Sequence, residues 1–142
     1  GGSIFVKEDI GYRAGIHMKE YEEKQPVIVA GGTAQDFLGE YMAGGILVLL
    51  GLNLYQGEHH KAKFVGTGTH GGVIYLRGSI EQYQLGKEVG TTELEGKDSQ
   101  TLQKLVGKFA TYFGYDTEKI LNHKFIKLYP KYLRPYGRLY VY

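Results

Sequence analysis

The chain has no cysteine and no tryptophan among its 142 residues, and only three prolines. Without cysteine there are no disulfides, no thiolate metal sites, no cysteine-ligated iron–sulfur clusters and no cysteine nucleophile. The lack of disulfides fits a reducing compartment, and a cytoplasmic location is expected. Serine is scarce: Ser3, Ser79 and Ser99 are the only three, and none lies in a G-x-S-x-G elbow, so nucleophilic hydrolysis is not expected. Asn53 and Asn122 are the only asparagines, which is compatible with a thermostable source. No apolar run approaches the roughly 20 residues that span a bilayer, and no signal peptide is visible, so no membrane role is expected.

What the chain has in excess is glycine and tyrosine. Its 22 glycines are about twice the average share. They have no collagen period and stand beside apolar strands, as turn residues do. Three blocks repeat one device, a double glycine followed by an apolar run: Gly1-Gly2-Ser3-Ile4-Phe5-Val6, Gly44-Gly45-Ile46-Leu47-Val48-Leu49 and Gly71-Gly72-Val73-Ile74-Tyr75-Leu76. Turning sharply and then laying down a strand, several times over, is how a solenoid is written. Candidate strands are 3–6, 15–18, 26–30, 45–51, 61–65 and 73–77. The glycine pairs at 31–32, 44–45 and 71–72 are 13 and 27 residues apart, so the repeat is irregular. The chain opens on a Gly-Gly turn, and the expectation is that upstream sequence or another subunit covers that end.

Residues 81–97 are polar and turn-rich and read as a connector. Asp98-Ser99 then offers a helix N-cap. Leu102, Leu105, Val106, Phe109, Tyr112 and Phe113 follow at helical spacing, Gly114 is placed to stop the helix, and Asp116-Thr117 to start a shorter one. The formal charge of +2 hides an asymmetry. From 122 onward there are five basic residues (Lys124, Lys127, Lys131, Arg134 and Arg138) and no acidic ones, which leaves 12 basic and 15 acidic residues, a net −3, in the first 121. The tail carries Tyr129, Tyr132, Tyr136, Tyr140 and Tyr142 with Pro130 and Pro135, and is expected to be extended and packed on the body or a partner. The organisation so read is 1–80 solenoid, 81–97 connector, 98–123 helical appendage and 124–142 basic, tyrosine-rich tail.

The strings Gly39-Glu40-Tyr41-Met42-Ala43-Gly44-Gly45, Val48-Leu49-Leu50-Gly51 and Gly66-Thr67-Gly68-Thr69-His70-Gly71-Gly72-Val73-Ile74-Tyr75 resemble the G-x-G-x-G repeat domain of the glutamate synthase large subunit. The resemblance covers about residues 1–80. Arg13-Ala14-Gly15-Ile16-His17-Met18 and the ending Arg134-Pro135-Tyr136-Gly137-Arg138-Leu139-Tyr140 look like the stand-alone branch of that family. The resemblance implies a mainly β fold, a right-handed parallel β-helix with a short α-helical C-terminal appendage. It implies a structural rather than catalytic role, aligning a glutaminase-like part with a flavin- and iron–sulfur-bearing synthase part in glutamate biosynthesis and ammonia assimilation. Cofactors would then sit on those partners and none in this chain; a homo-oligomer is also compatible. The chain departs from the fused enzymes at Phe37-Leu38-Gly39, where they tend to carry His-Gly-Cys. A second scaffold reading is the related subunit of formylmethanofuran dehydrogenase.

Other readings compete with this one. Gly66 to Gly71 match the dinucleotide fingerprint G-x-G-x-x-G, but a strand pattern follows where the fingerprint needs a helix, so a structural turn is expected. His59, His60 and His70 carry the rival reading of a metal- or ligand-binding protein; adjacent histidines on a strand face opposite ways and chelate only with help. Glu40 lies among apolar residues with no evident partner and is expected to bond the amides of a nearby glycine turn. Glu8-Asp9 and Glu22-Glu23 read as solvated turn charges. The basic tail lacks any RNA-binding signature, so packing is expected over nucleic acid. The residues expected to matter are structural, not catalytic, cofactor-binding or metal-binding: Glu40, Tyr41, Met42, Gly44, Gly45, Gly66, Gly68, Gly71 and Gly72.

Overall fold

The computed structural model describes residues 2–131. Six strands form one mixed sheet: β1 (Ser3–Val6), β2 (Val27–Ala30), β3 (Ala43–Leu49), β4 (Gly71–Arg77), β5 (Val89–Thr92) and β6 (Phe125–Pro130), in the order β1-β2-β3-β4-β6-β5. The first four are parallel and in step, Ser3 beside Val27, Val27 beside Ile46 and Ile46 beside Val73. Then the direction reverses. β6 runs antiparallel to β4, with Arg77 opposite Phe125, and also antiparallel to β5. A bulge in β3 between Ala43 and Ile46 takes up one extra residue, and Gly45 supplies it at φ +93°.

The strands are apolar on both faces, as parallel strands covered on both sides should be. Val27, Val29, Ile46, Val48 and Tyr75 point to one face, where helix α1 (Asp98–Phe113) sets down Leu102, Leu105, Val106 and Phe109. Helix α2 (Thr117–Leu121) adds Ile120 to the same layer. Gly114 ends α1 in the left-handed conformation at φ +77°, and the Asp116 carboxylate caps α2 by accepting from the Glu118 and Lys119 amides. The opposite face carries Ala30, Leu47, Leu49, Ile74, Leu76 and Leu128. It is covered by the loops that join the parallel strands, through Ala34, Leu38, Met42, Ala62 and Val65.

This architecture corrects the expected fold. Among the described residues there is no closed solenoid and no right-handed parallel β-helix; a six-stranded mixed sheet with two helices is an α/β fold. The glycine–strand device writes only the four parallel strands. Two of the expected strands, 15–18 and 61–65, are turns and irregular backbone. The stretch read as a connector holds β5, and the start of the stretch read as a tail is β6, which lies inside the sheet between β4 and β5. The helix packs on the sheet and closes one face of the core. The expected packing of the tail beyond Lys131 falls outside the described residues.

Candidate functional site

The loops leading towards β2, β3 and β4 share one backbone plan, and it is built from left-handed residues. Arg13, Phe37 and Phe64 have φ of +56°, +64° and +56°. Two residues on, Gly15, Gly39 and Gly66 have +71°, +68° and +71°; two further, His17, Tyr41 and Gly68 have +56°, +55° and +73°. Main-chain hydrogen bonds rung the three loops together. The Arg13 and Phe37 amides donate to the Asp36 and Lys63 carbonyls, both at 2.9 Å, and the Gly39 and Gly66 amides to those of Ala14 and Leu38, at 2.8 and 2.7 Å. The His17 and Tyr41 amides donate to the Glu40 and Thr67 carbonyls, at 2.9 and 2.8 Å. Left-handed backbone is unfavourable for residues with a Cβ, about 1–3 kcal/mol each, and persists where surrounding bonds over-determine it.

That shared plan stacks side chains in two columns. The Arg13 guanidinium lies 4.4 Å from the centre of the Phe37 ring, and Phe37 stacks on Phe64 at 4.9 Å. Beside them His17 stacks on Tyr41 at 5.2 Å. The next position down is Gly68, where an added Cβ would lie 2.4 Å from the Tyr41 ring. Glu40 is buried between the columns and forms an ion pair with Arg13. The result is an exposed corner of rings with a paired charge beneath it; Phe64 is 53% exposed and Tyr41 46%.

The expected motif residues all lie on this corner or where it enters the sheet. Met42 is buried, and its carbonyl accepts from the His70 amide and the Thr69 hydroxyl. Gly71 has ordinary backbone, but a Cβ there would lie 2.1 Å from the Ala43 carbonyl oxygen, so glycine is needed for space. Glu40 does not bond glycine amides as expected. Two other carboxylates do: Glu20 accepts from the Gly45 amide at 3.2 Å and Glu88 from the Gly68 amide at 3.1 Å. Sequence reasoning missed both, because each lies 20 or 25 residues from its partner along the chain.

The turn from Gly66 to Gly71 leads into β4, so no helix N-terminus faces it. The three histidines have separate surroundings. His59 bonds Ser79 through Nδ1 at 2.7 Å and Glu81 through Nε2 at 3.1 Å. His60 is buried; its Nε2 donates to the Arg77 carbonyl at 2.9 Å and its Nδ1 has no partner. Burial lowers the His60 pKa from its ordinary 6.5, an effect partly offset by that carbonyl. His70 is exposed. Among the described residues no group of three or more histidines, aspartates or glutamates is placed to hold a metal.

A second polar cluster ties α1 to the sheet. Tyr75 donates to Asp98 Oδ1 at 2.5 Å, and Lys127 Nζ lies 3.1 Å from Asp98 Oδ2. The Glu95 amide donates to that same oxygen at 2.8 Å. Burial alone would raise the Asp98 pKa, but Tyr75, Glu95 and Lys127 outweigh it and hold the carboxyl below its ordinary 3.8. Burial and the neighbouring Asp98 push the Tyr75 hydroxyl pKa up.

The family model described as the GXGXG motif matches residues 1–134. The chain belongs to the GXGXG motif family. The resemblance to the corresponding domain of glutamate synthase-type proteins is thus borne out, and it runs well past residue 80. An uncharacterized protein of Methanocaldococcus jannaschii is 44% identical over 137 residues, which cover 93% of this chain and 52% of that protein. The chain therefore spans about half the length of the curated relative it matches. Among the described residues no helix is long and apolar enough to cross a membrane.

Proposed function

We propose that this GXGXG chain is a non-catalytic structural component of a glutamate synthase-type oxidoreductase, holding a glutaminase-like part against a flavin- and iron–sulfur-bearing synthase part. The observation that carries the reading is the family-motif corner. Its glycine-rich strings are spent on a stacked and ion-paired backbone frame, and what that frame presents outward is aromatic surface, Phe64 and Tyr41, of the kind favoured at interfaces. The nine motif residues hold this surface in shape, and redox chemistry belongs to the partners.

The test is co-expression with the glutaminase-like and flavin synthase-like polypeptides of its own source, reading glutamine-dependent glutamate formation. Coupled activity is expected to fall when the chain is left out, while each partner keeps its half-reaction. A Tyr41→Asn, Phe64→Asn double variant removes both rings and keeps residues that tolerate left-handed backbone. It is expected to keep its fold and lose co-purification. Unchanged coupling without the chain, together with no co-purification of the wild type, would end this reading.

A further inference from the structure

β3 and β4 end side by side, and the chain leaves them through glycines, Gly51 at φ +55° and Gly78 at φ +113°. A groove of about 800 Å³ opens there, at the carboxyl ends of the strands. It lies away from the motif corner, which leads into the other ends of β3 and β4. Arg77 lines it, half-buried. Its Nε donates to the Ile120 carbonyl at 2.8 Å and its Nη1 to the Leu50 carbonyl at 3.3 Å. Both acceptors are neutral, so they fix the guanidinium plane and leave its charge uncompensated. Among the described residues no carboxylate pairs with Arg77.

Lys124 lines the same groove, next to Phe125, the residue opposite Arg77 in the β4–β6 pair. The Gly78 amide donates to its carbonyl at 2.9 Å, which fixes its place on the rim. Glu58 is the acid among the lining residues, and it is already engaged, accepting from the Tyr55 amide at 2.8 Å and pairing with Lys61 at 3.4 Å. Leu52 and Leu54 give the groove an apolar wall. A fixed guanidinium with spare N–H donors, a lysine lining the same groove and an apolar side together match a small doubly charged anion.

We propose that this groove binds a small dianion, a dicarboxylate or a phosphate, held by Arg77 and Lys124. The site is independent of any scaffold role. Calorimetric titration of the full chain at low salt, with glutarate, inorganic phosphate and chloride as separate probes, tests it. Saturable binding with a Kd of about 1 mM or tighter is expected for glutarate or phosphate and not for chloride. Glutarate alone would identify carboxylate chemistry and phosphate alone phosphate chemistry. Lys124 is exposed, so Lys124→Glu is expected to leave the melting temperature unchanged and weaken binding about tenfold or more. No saturable binding of either dianion, equal binding of chloride, or undiminished affinity in a folded Lys124→Glu variant would each overturn the proposal.

Discussion

Individual residues decide the motif corner, and they do so mostly through backbone. Gly71 is the sharpest case, because the atom in the way is the Ala43 carbonyl oxygen of the neighbouring strand. A main-chain oxygen in a paired sheet cannot step aside as a side chain can. Gly71→Ala is therefore expected to cost roughly 1–3 kcal/mol or more, and a denaturant melt showing wild-type stability would contradict that. Much of this corner was hidden in the sequence. Gly68 was visible as a glycine, but its left-handed equivalents in the earlier loops are His17 and Tyr41, and Arg13, Phe37 and Phe64 hold a further left-handed position with no glycine at all. Side chains that rarely adopt this conformation give no sign of it, so the spacings of 24 and 27 residues between matching positions did not stand out. The partner of Glu40 was hidden for the same reason, since Arg13 reaches it only through loop stacking.

Whole elements follow simpler rules. The α1 stripe was legible because periodic apolar residues read the same whether a helix stands alone or packs on a sheet. The partner surface was not legible, since nothing in a stripe says what it covers. Two substitutions in α1 separate packing from propensity. Phe109 is fully buried against the sheet, meets the tilted Phe113 ring at 4.9 Å and stacks on Tyr115 at 5.5 Å. Phe109→Ala is expected to cost about 3–5 kcal/mol. Gly107 lies in the same helix with open space where a Cβ would go. Gly107→Ala is expected to stabilise by about 0.5–1 kcal/mol, because alanine fixes less backbone entropy on folding. Thermal or denaturant melts of the two variants should move in opposite directions; the same direction for both would mean that α1 does not pack on the sheet as described. β6 escaped notice because proline, tyrosine and lysine around 127–131 resemble a tail; only its two neighbours, β4 and β5, make it a strand.

At the scale of the whole molecule, two buried titrating groups, His60 and Asp98, make stability depend on pH in separate windows. His60 has a folded pKa below its ordinary 6.5 because it is buried. As pH falls below 6.5 the unfolded chain takes up a proton at His60 that the folded chain refuses, so stability drops by up to about 1.4 kcal/mol per pH unit until the folded value is reached. Asp98 has a folded pKa below 3.8, so its contribution is complete well above 3.8 and is lost as pH falls through that value towards the folded one. The expected curve therefore declines first below 6.5 and again near and below 3.8. His60→Gln should flatten the first decline, whatever its effect at pH 7. Asp98→Asn should flatten the second and leave the first, and it should lower stability at neutral pH because the Lys127 pair is lost. Both groups stand where the sheet meets another layer, His60 under the loops at the ends of β3 and β4, Asp98 at the start of α1. Denaturant melts from pH 3 to 8 on the wild type and the two variants separate the terms. A His60→Gln curve parallel to the wild type between pH 5 and 6.5 would mean that His60 takes up its proton as readily in the folded chain as in the unfolded one, against the lowering that its burial causes.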